Sequence, residues 1–223
     1  DDLFAILYLV AAGTDIRAIV ITPGDPDQIA IARLLVDELG LKCPIGASKL
    51  DRTKRSSGSI HHELLHRYGR SLDAKPDGPG DEMALTAWTP DTELFVCGPL
   101  SNVAAIQFAR ATMQGGFVPY SVYRPAVILD AFEGKEWMPT FNLNGDRKGA
   151  ARFLSGPFPR QMVGKNVCHT IMFNGERFSR FAAPTSRAGE LFHEAASLYL
   201  ARHDGKKFHD PTAAVCHLHP EVG

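Results

Sequence analysis

The sequence predicts an α/β fold, with a mostly parallel sheet and helices on both of its faces. Short continuous apolar runs, which are typical of strands buried on both sides, alternate with segments of helical spacing. The clearest strand lies at residues 93–97 and the clearest amphipathic helix at residues 187–203. The chain has 223 residues, of which 44% are hydrophobic, so one domain can bury a large core. We therefore predict a single domain over residues 1–223.

The first half of the chain alternates as this fold requires. We predict a buried helix at residues 3–12, a strand at 16–21, a helix at 26–39 and a short strand at 44–45. The second helix carries a capping signature, in which Asp25 is the N-cap, Pro26 the first helical residue and Gln28 the capping-box partner. Gly40 follows the last apolar residue of this helix, as expected of a glycine just past a helix end.

The second half continues the alternation. After the strand at 93–97 we predict a helix at 102–113, a strand at 126–129, a helix at 147–154, a strand at 161–163 and a helix at 187–203. A last helix opens at Pro211, with Asp210 as its N-cap. In a parallel sheet, ligands collect at the carboxyl ends of the strands, so polar residues that follow strands are the candidates for chemistry.

Composition and charge argue against several classes of function. The formal net charge of −1 and the pI near 6.8 do not suit a nucleic-acid partner. No apolar run reaches membrane-spanning length, so no membrane partner is expected. The absence of GxGxxG and GxxxxGK(S/T) argues against a Rossmann dinucleotide site and a P-loop. The cysteines form no CxxC pair, which favours reduced thiols and a cytoplasmic location; they are Cys43, Cys97, Cys168 and Cys216.

His209 and Asp210 place an imidazole and a carboxylate side by side near the start of the last predicted helix. One interpretation is structural, because Asp210 can cap the helix while Pro211 fills its first position. The other interpretation makes Asp210 a metal ligand and His209 a proton donor. The choice depends on whether the rest of the chain supplies partners.

Two further segments offer ligands for a metal or a hydroxyl. Asp1 and Asp2 precede a helix, where acidic groups interact favourably with the helix dipole. Because adjacent carboxylates point in different directions, one can bind a metal while the other binds a hydroxyl. Cys97 ends a strand before a Gly-Pro turn, and such a turn frees a backbone carbonyl, which is a suitable ligand for Ca²⁺.

His61 and Asn142 complete the candidates. His61 is either an ordinary histidine or one that hydrogen-bonds a leaving group in a pocket. Asn142 stands between Phe141 and Leu143, which is a better position for an amide that points into a site than for a turn residue.

Taken together, these segments resemble the inosine-uridine type nucleoside hydrolase family. Residues 1–2 resemble the closing pair of its DxDxGxDD motif, and residues 58–61 resemble a GxIH segment. Residues 97–102 resemble its GPLTN turn, residues 141–151 its FNxxxDxxAA segment and residues 209–211 its HDP motif. The five segments occur in the same order as the family's motifs, and the resemblance spans nearly the whole chain.

The resemblance implies a Rossmann-like nucleoside hydrolase fold and an enzyme activity. The implied reaction is Ca²⁺-dependent hydrolysis of the N-glycosidic bond of ribonucleosides, which yields free base and ribose. Asp2 and Asp210 match carboxylates that hold the Ca²⁺, and Cys97 matches a position that gives it a backbone oxygen. The family also suggests a homodimer or homotetramer that takes a small nucleoside as substrate.

The remaining site residues follow from the same resemblance. Asp1 and Asn142 match groups that bind ribose hydroxyls, and Asp25 either makes a ribose contact or only caps its helix. His209 and His61 match imidazoles near the leaving base, where a histidine that titrates near neutrality can deliver a proton.

Departures from the family pattern leave alternatives open. The DxDxG half of the first motif is absent, so no residue matches the family's general base. The domain is therefore expected to lack the first strand and the C-terminal end of the family fold. Thr140 replaces a common ribose-binding Glu, and Gly134 stands roughly where an Asn is usual. The alternative is a non-catalytic or altered-specificity homologue that binds ribose or nucleosides.

Overall fold

The computed structural model describes residues 1–48 and 60–222, which form alternating strands and helices. The strands are β1 (Ile19–Ile21), β2 (Ile45–Ala47), β3 (Gly78–Pro79), β4 (Leu94–Val96), β5 (Ala111–Gln114), β6 (Arg160–Val163), β7 (Met172–Asn174) and β8 (Gly205–Lys207). The helices are α1 (Asp2–Ala11), α2 (Pro26–Glu38), α3 (His61–Arg67), α4 (Gly80–Thr86), α5 (Phe141–Gly145), α6 (Arg147–Ser155), α7 (Lys165–Cys168), α8 (Gly175–Phe178), α9 (Arg187–Leu200) and α10 (His209–Leu218). Short 3₁₀ segments lie at Leu100–Asn102, Asp130–Phe132 and Pro220–Val222.

The strands form two parallel sheets and one small antiparallel pair. One sheet has the order β1-β2-β3, with Ile19 opposite Ile45, and the other has the order β4-β5-β6, with Leu94 opposite Ala111. β7 and β8 pair in antiparallel fashion. Within the residues described, no strand pairing links β1 to β4. The prediction of a mostly parallel α/β fold is confirmed.

Helices pack on the sheets in two apolar clusters. One cluster joins α1, α2, α3 and α9 through buried leucines, which include Leu7, Leu34, Leu64 and Leu191. The other packs α4, α6 and the Leu100–Asn102 turn against β4 and β5, with Met113 and Phe153 buried between them. α1 also lies along α10 through Ala5, Leu9 and Ala214. These contacts bring the first turns of α1 and α10 to the same region of the molecule.

The start and end of α2 agree with its sequence signals. Asp25 and Gln28 form the capping box, with the Asp25 backbone N–H donating to Gln28 Oε1 at 3.0 Å. Gly40 adopts φ +64°, the left-handed conformation that favours glycine past a helix end. Both local predictions are confirmed.

Two predicted elements are wrong. Residues 102–113 do not form a helix, because the chain runs from the 3₁₀ turn through a loop into β5, which pairs with both β4 and β6. Pairing on two edges thus overrides the helical spacing of this segment. Residues 126–129 form no strand, and Val127 is exposed. β6 occupies the edge of β5 that such a strand would need.

Two further observations concern the whole described chain. All four cysteines are free thiols, which agrees with the prediction of reduced cysteines. Among residues 1–48 and 60–222, no helix is both long enough and apolar enough to cross a membrane.

Candidate active site

Three carboxylates meet where α1 and α10 begin. One oxygen each from Asp1, Asp2 and Asp210 lies within 4.8 Å of the other two. A cation with Ca²⁺–oxygen bonds of 2.3–2.6 Å holds oxygens up to about 4.6–5.2 Å apart. The cluster therefore has both the spacing and the all-oxygen chemistry that a hard divalent cation requires.

Asp210 is the most enclosed member of this carboxylate cluster, with 6% of its surface exposed. Burial, together with the negative charge of Asp2, raises the pKa of the Asp210 carboxyl to about 7. Placing carboxylates this close costs electrostatic free energy unless a positive charge compensates them. The donor set therefore fits a metal better than it fits three ordinary surface acids.

The Cys97 thiol also contacts the carboxylate cluster. Burial and the charges of Asp210 and Asp2 raise the pKa of this thiol well above its usual range, so the sulfur stays protonated. The thiol hydrogen-bonds with Asp210. This contact was not anticipated from the sequence, which pointed only to the Cys97 backbone oxygen as a ligand.

The start of α10 differs from the prediction. The helix begins at His209 rather than Pro211, and Phe208 holds the N-cap position, so Asp210 is not the cap. Asp1 Oδ2 instead accepts the backbone N–H of His209 at 3.1 Å. Asp210 lies within the first turn, where it belongs to the carboxylate cluster. Pro211 lacks a backbone N–H, but this loses no helical hydrogen bond, because the N–H groups of a helix's first turn have no acceptor within the helix.

The Asp1 carboxylate interacts with a positive charge and with hydrogen-bond donors. Lys206 forms an ion pair with Asp1 Oδ1, and His209 Nδ1 lies 3.5 Å from Asp1 Oδ2. The carboxylate therefore fixes the backbone of His209, and the His209 ring lies beside the same carboxylate. Contact between Asp1 and a sugar hydroxyl stays a prediction.

His209 lies beside a second imidazole, that of His169, with ring centroids 5.1 Å apart. Burial and nearby lysines lower the pKa of each ring to about 4, so both are neutral at pH 7. The expectation that His209 titrates near neutrality is therefore not met. Lys207 Nζ lies 3.0 Å from His169 Nδ1. Because an ammonium only donates, Nδ1 accepts and the N–H of His169 is on Nε2.

Asn142 lies in α5 with 4% of its surface exposed. Its Nδ2 donates to the backbone oxygen of Gln114 at 2.8 Å and to Gln114 Oε1 at 3.1 Å. Gln114 is the last residue of β5, so the amide is fixed at the carboxyl end of a strand. Thr140, the N-cap of this helix, is also buried.

His61 is paired with a carboxylate that the sequence reasoning missed. His61 Nδ1 lies 2.6 Å from Asp27 Oδ2, in the first turn of α2. The neighbouring Gly58 and Ser59 of the GxIH segment lie outside the described residues. Asp25, in contrast, serves as the cap of α2 and does not line the cavity described next.

One cavity of about 1290 Å³ collects the predicted site residues. It is lined by Asp1, Asp2, His61, Cys97, Asn142, His209 and Asp210. Among the predicted site residues, Asp25 alone is not part of this lining. The cavity thus presents a carboxylate cluster, a fixed amide and imidazoles to one volume, which is the arrangement needed to bind a cation and a polar ligand together.

Solved structures with the same fold include two nucleoside hydrolases of low sequence identity. A plant nucleoside hydrolase superposes with a TM-score of 0.71 at 18% identity, over 99% of this chain and 76% of its own. An inosine-uridine preferring nucleoside hydrolase from Bacillus anthracis gives a TM-score of 0.66 at 12% identity, over 99% and 79%. The chain has the nucleoside hydrolase fold. No protein-family model and no curated protein matches the sequence.

Several residues of the site on this nucleoside hydrolase fold were missed from the sequence. His169 follows β6 and the short helix α7, so the rule that polar residues after strands deserve attention could have found it. Gln114 ends a strand that was predicted as helix, which hid it. Asp27 and Lys206 act through partners 34 and 205 residues away, and no local pattern signals such contacts.

Proposed function

We propose that this chain is a metal-dependent nucleoside hydrolase that cleaves the N-glycosidic bond of ribonucleosides to free base and ribose. The observation that carries the proposal is the three-carboxylate cluster, which lies in one cavity with Asn142 and His209. The nucleoside hydrolase fold supports it. The proposed setting is a cytoplasmic homodimer or homotetramer.

Ca²⁺ is the proposed ion, because carboxylate and carbonyl oxygens are its preferred ligands. Asp2, Asp210 and the backbone oxygen of Cys97 would hold it, and Asp1 adjoins them. When bound, the ion supplies a Lewis acid that orients sugar hydroxyls and a water and lowers the pKa of that water.

The chain's own residues bind the sugar and favour the charge that develops on it. Asn142 is held by Gln114 at the cavity wall, where its amide can hydrogen-bond a ribose hydroxyl. Departure of the base builds oxocarbenium character on the sugar. The carboxylates of Asp1, Asp2 and Asp210 provide negative potential beside that developing positive charge.

The imidazoles of His209 and His61 are the groups that would contact the leaving base. His209 is held by the hydrogen bond from its backbone N–H to Asp1, and its ring packs against the ring of His169. A neutral imidazole offers one N–H, which can hydrogen-bond a base nitrogen as negative charge gathers there. His61, oriented by Asp27, offers a second contact on the cavity wall.

A second candidate function is ligand binding without turnover. It is favoured by one observation: the Asp1 carboxylate is engaged by Lys206 and by the His209 N–H. Asp1 is thus not free to act as the general base, and no other residue has been assigned that role. This candidate predicts Ca²⁺-dependent nucleoside binding with the bound nucleoside recovered intact.

The test compares base release with and without metal. Purine and pyrimidine ribonucleosides are incubated with the protein in CaCl₂ or in EDTA, free base is measured by chromatography, and bound Ca²⁺ is measured on the same samples. The proposal predicts base release in CaCl₂ alone. Bound Ca²⁺ with nucleoside binding but no base release would contradict it and support the second candidate.

A further inference from the structure

The cavity wall changes from negative to positive across two imidazole rings. His209 lies beside the carboxylate cluster, with 3.5 Å between His209 Nδ1 and Asp1 Oδ2. The ring of His169 packs against that of His209, and Lys207 Nζ in turn lies 3.0 Å from His169 Nδ1. A ligand that extends past His209, away from the carboxylates, therefore meets a positively charged environment.

Lys165 brings a second ammonium group to the same region. It is the first residue of α7, just after β6, and its backbone N–H donates to the Gly116 oxygen at 2.9 Å. Its side chain is half-buried, and it lines the cavity together with His169. Burial is the main cause of the low pKa of His169, and the charges of Lys207 and Lys165 lower this pKa further. Both ammonium groups thus lie within electrostatic range of that ring.

Neither ammonium group is balanced by an acid in the part of the chain that the structure describes. Lys206, the next cation on this wall, is already paired with Asp1. Among the described residues, the Lys165 side chain has no hydrogen bond or ion pair, and Lys207 contacts the His169 ring alone. The Nε2–H of His169 has no acceptor among them either. Half-buried donors and charges without partners are unfavourable, and a bound anion would satisfy all three groups.

We infer that Lys165, Lys207 and His169 form a subsite for a negatively charged substituent, a phosphate or a carboxylate, on the nucleoside substrate. The inference rests on the proposed function, because it takes the sugar of that substrate to bind at the carboxylate cluster. Lys165 and His169 line the cavity and contact the substituent, whereas Lys207 adds positive potential through its contact with His169. Ammonium groups only donate, and the oxygens of a phosphate or carboxylate accept from several donors at once.

The substituent has two positions of attachment that suit this subsite. The amide of Asn142 is held by Gln114, two residues before Gly116, and Gly116 accepts the N–H of Lys165. The subsite therefore adjoins a proposed sugar contact as well as the imidazoles proposed for the leaving base. A phosphate on the sugar and a carboxylate on the base share the required chemistry, and the test separates them.

The test compares substrates that differ in charge. Base release in CaCl₂ at pH 8 gives kcat/KM for uridine, uridine 5′-monophosphate and 5-carboxyuridine, with 5-carbamoyluridine as a neutral isostere. At least one anionic substrate should be favoured over the neutral ones by about tenfold or more, the usual effect of hydrogen bonds to charged groups. Preference for the monophosphate assigns the anion to the sugar, and preference for 5-carboxyuridine assigns it to the base. No preference for either would overturn the inference.

Variants show whether the subsite causes the preference. Lys165→Gln removes the charge, so kcat/KM for the favoured anionic substrate relative to uridine should fall by about tenfold or more, and Lys165→Arg should restore most of it. Lys148→Gln removes an exposed lysine of α6 and should leave both values unchanged. His169→Phe removes the ring N–H, keeps an aromatic contact with Phe132 and should lower the same ratio. It replaces Lys165→Gln as the test if that variant does not fold.

Binding is measured in parallel by calorimetry with the same ligands, because it does not require turnover. If nothing is hydrolysed, but an anionic ligand binds more tightly than uridine and Lys165→Gln removes the difference, the proposed function fails and the subsite stands. If uridine is hydrolysed as well as its anionic derivatives, the proposed function stands and the subsite fails. The two failures are thus distinguishable.

Two further results would overturn the inference. One is that Lys165→Gln lowers kcat/KM for uridine and for the anionic substrates by the same factor, which would place Lys165 at the leaving base of every substrate. The other is that Lys148→Gln lowers the preference as much as Lys165→Gln does, which would make it an effect of the net charge of the protein.

Discussion

The carboxylate of Asp1 accepts the backbone N–H of His209 at 3.1 Å, although 208 positions separate them in the sequence. This bond ties the start of α1 to the start of α10. Asp1 thereby lies at the start of α10 next to Asp210, with which it and Asp2 form the carboxylate cluster, and the ring of His209 lies beside Asp1 at the cavity wall.

Replacing Asp1 should therefore destabilise the start of α10. Asp1→Ala removes a side-chain acceptor from a helix N-terminus, a loss that costs about 0.5–2 kcal/mol in unfolding free energy. Urea denaturation in EDTA measures it. Asp2→Ala is the matched control, because Asp2 is exposed and its removal relieves repulsion with Asp210. Equal losses in the two variants would contradict the capping role of Asp1.

The Cys97 side chain should be dispensable for metal binding if the backbone oxygen is the ligand. Cys97→Ala keeps that oxygen and removes only the thiol that contacts Asp210. Calcium affinity by titration calorimetry should fall by no more than about 100-fold, the upper end of the usual cost of losing a group that hydrogen-bonds a metal ligand. Cys43→Ala, a buried cysteine of another cluster, controls for packing loss. A loss of Ca²⁺ binding in Cys97→Ala alone would show that the sulfur matters.

His209→Ala should harm substrates according to their leaving group. The activity toward ribonucleosides should fall by about 10²–10³, the usual cost of removing one hydrogen-bond donor aimed at developing negative charge. Hydrolysis of 4-nitrophenyl riboside should fall far less, because its leaving group needs no proton. His219→Ala removes an exposed histidine just past the end of the same helix and serves as the control. Similar losses on both substrate types would argue against a role at the leaving group.

His217 should make stability depend on pH. It is 5% exposed, its Nδ1 lies 2.9 Å from Thr112 Oγ1, and Arg110 and Glu93 face it. Burial and the charge of Arg110 lower the pKa of His217 below its unfolded value of about 6.5. The unfolded chain therefore binds a proton that the folded chain rejects. The stabilisation is complete above about pH 6.5 and is lost as the pH falls through the folded pKa.

His217→Gln removes this titration while keeping a hydrogen-bonding side chain. Denaturation of both proteins should show a smaller loss of stability between about pH 6.5 and 5 in the variant. At pH 8 the histidine is neutral in both the folded and the unfolded state. The difference in stability between the two proteins at that pH therefore reports packing alone and serves as the baseline. An identical pH dependence in the two proteins would exclude His217 as the cause.

The sequence predicted what local patterns encode. The strands at residues 93–97 and 161–163 and the capping of α2 at Asp25 were found because apolar runs and caps are local signals. β5 was missed because its strand conformation depends on pairing with β4 and β6. Asp210 was identified as a metal ligand candidate through its motif, but its cap assignment failed because the actual acceptor, Asp1, is distant in sequence.

The most direct test of the account is a Ca²⁺ titration of the chain beside Asp210→Asn, with the exposed Asp204→Asn as control. Calorimetry should show one Ca²⁺ site in the parent protein and in the Asp204 variant. The Asp210 variant should bind at least about tenfold more weakly, because it loses a charged ligand from a site whose affinity depends on ligand charge. Equal Ca²⁺ affinity in all three proteins, or no binding in the parent, would contradict the metal centre on which the proposed function depends.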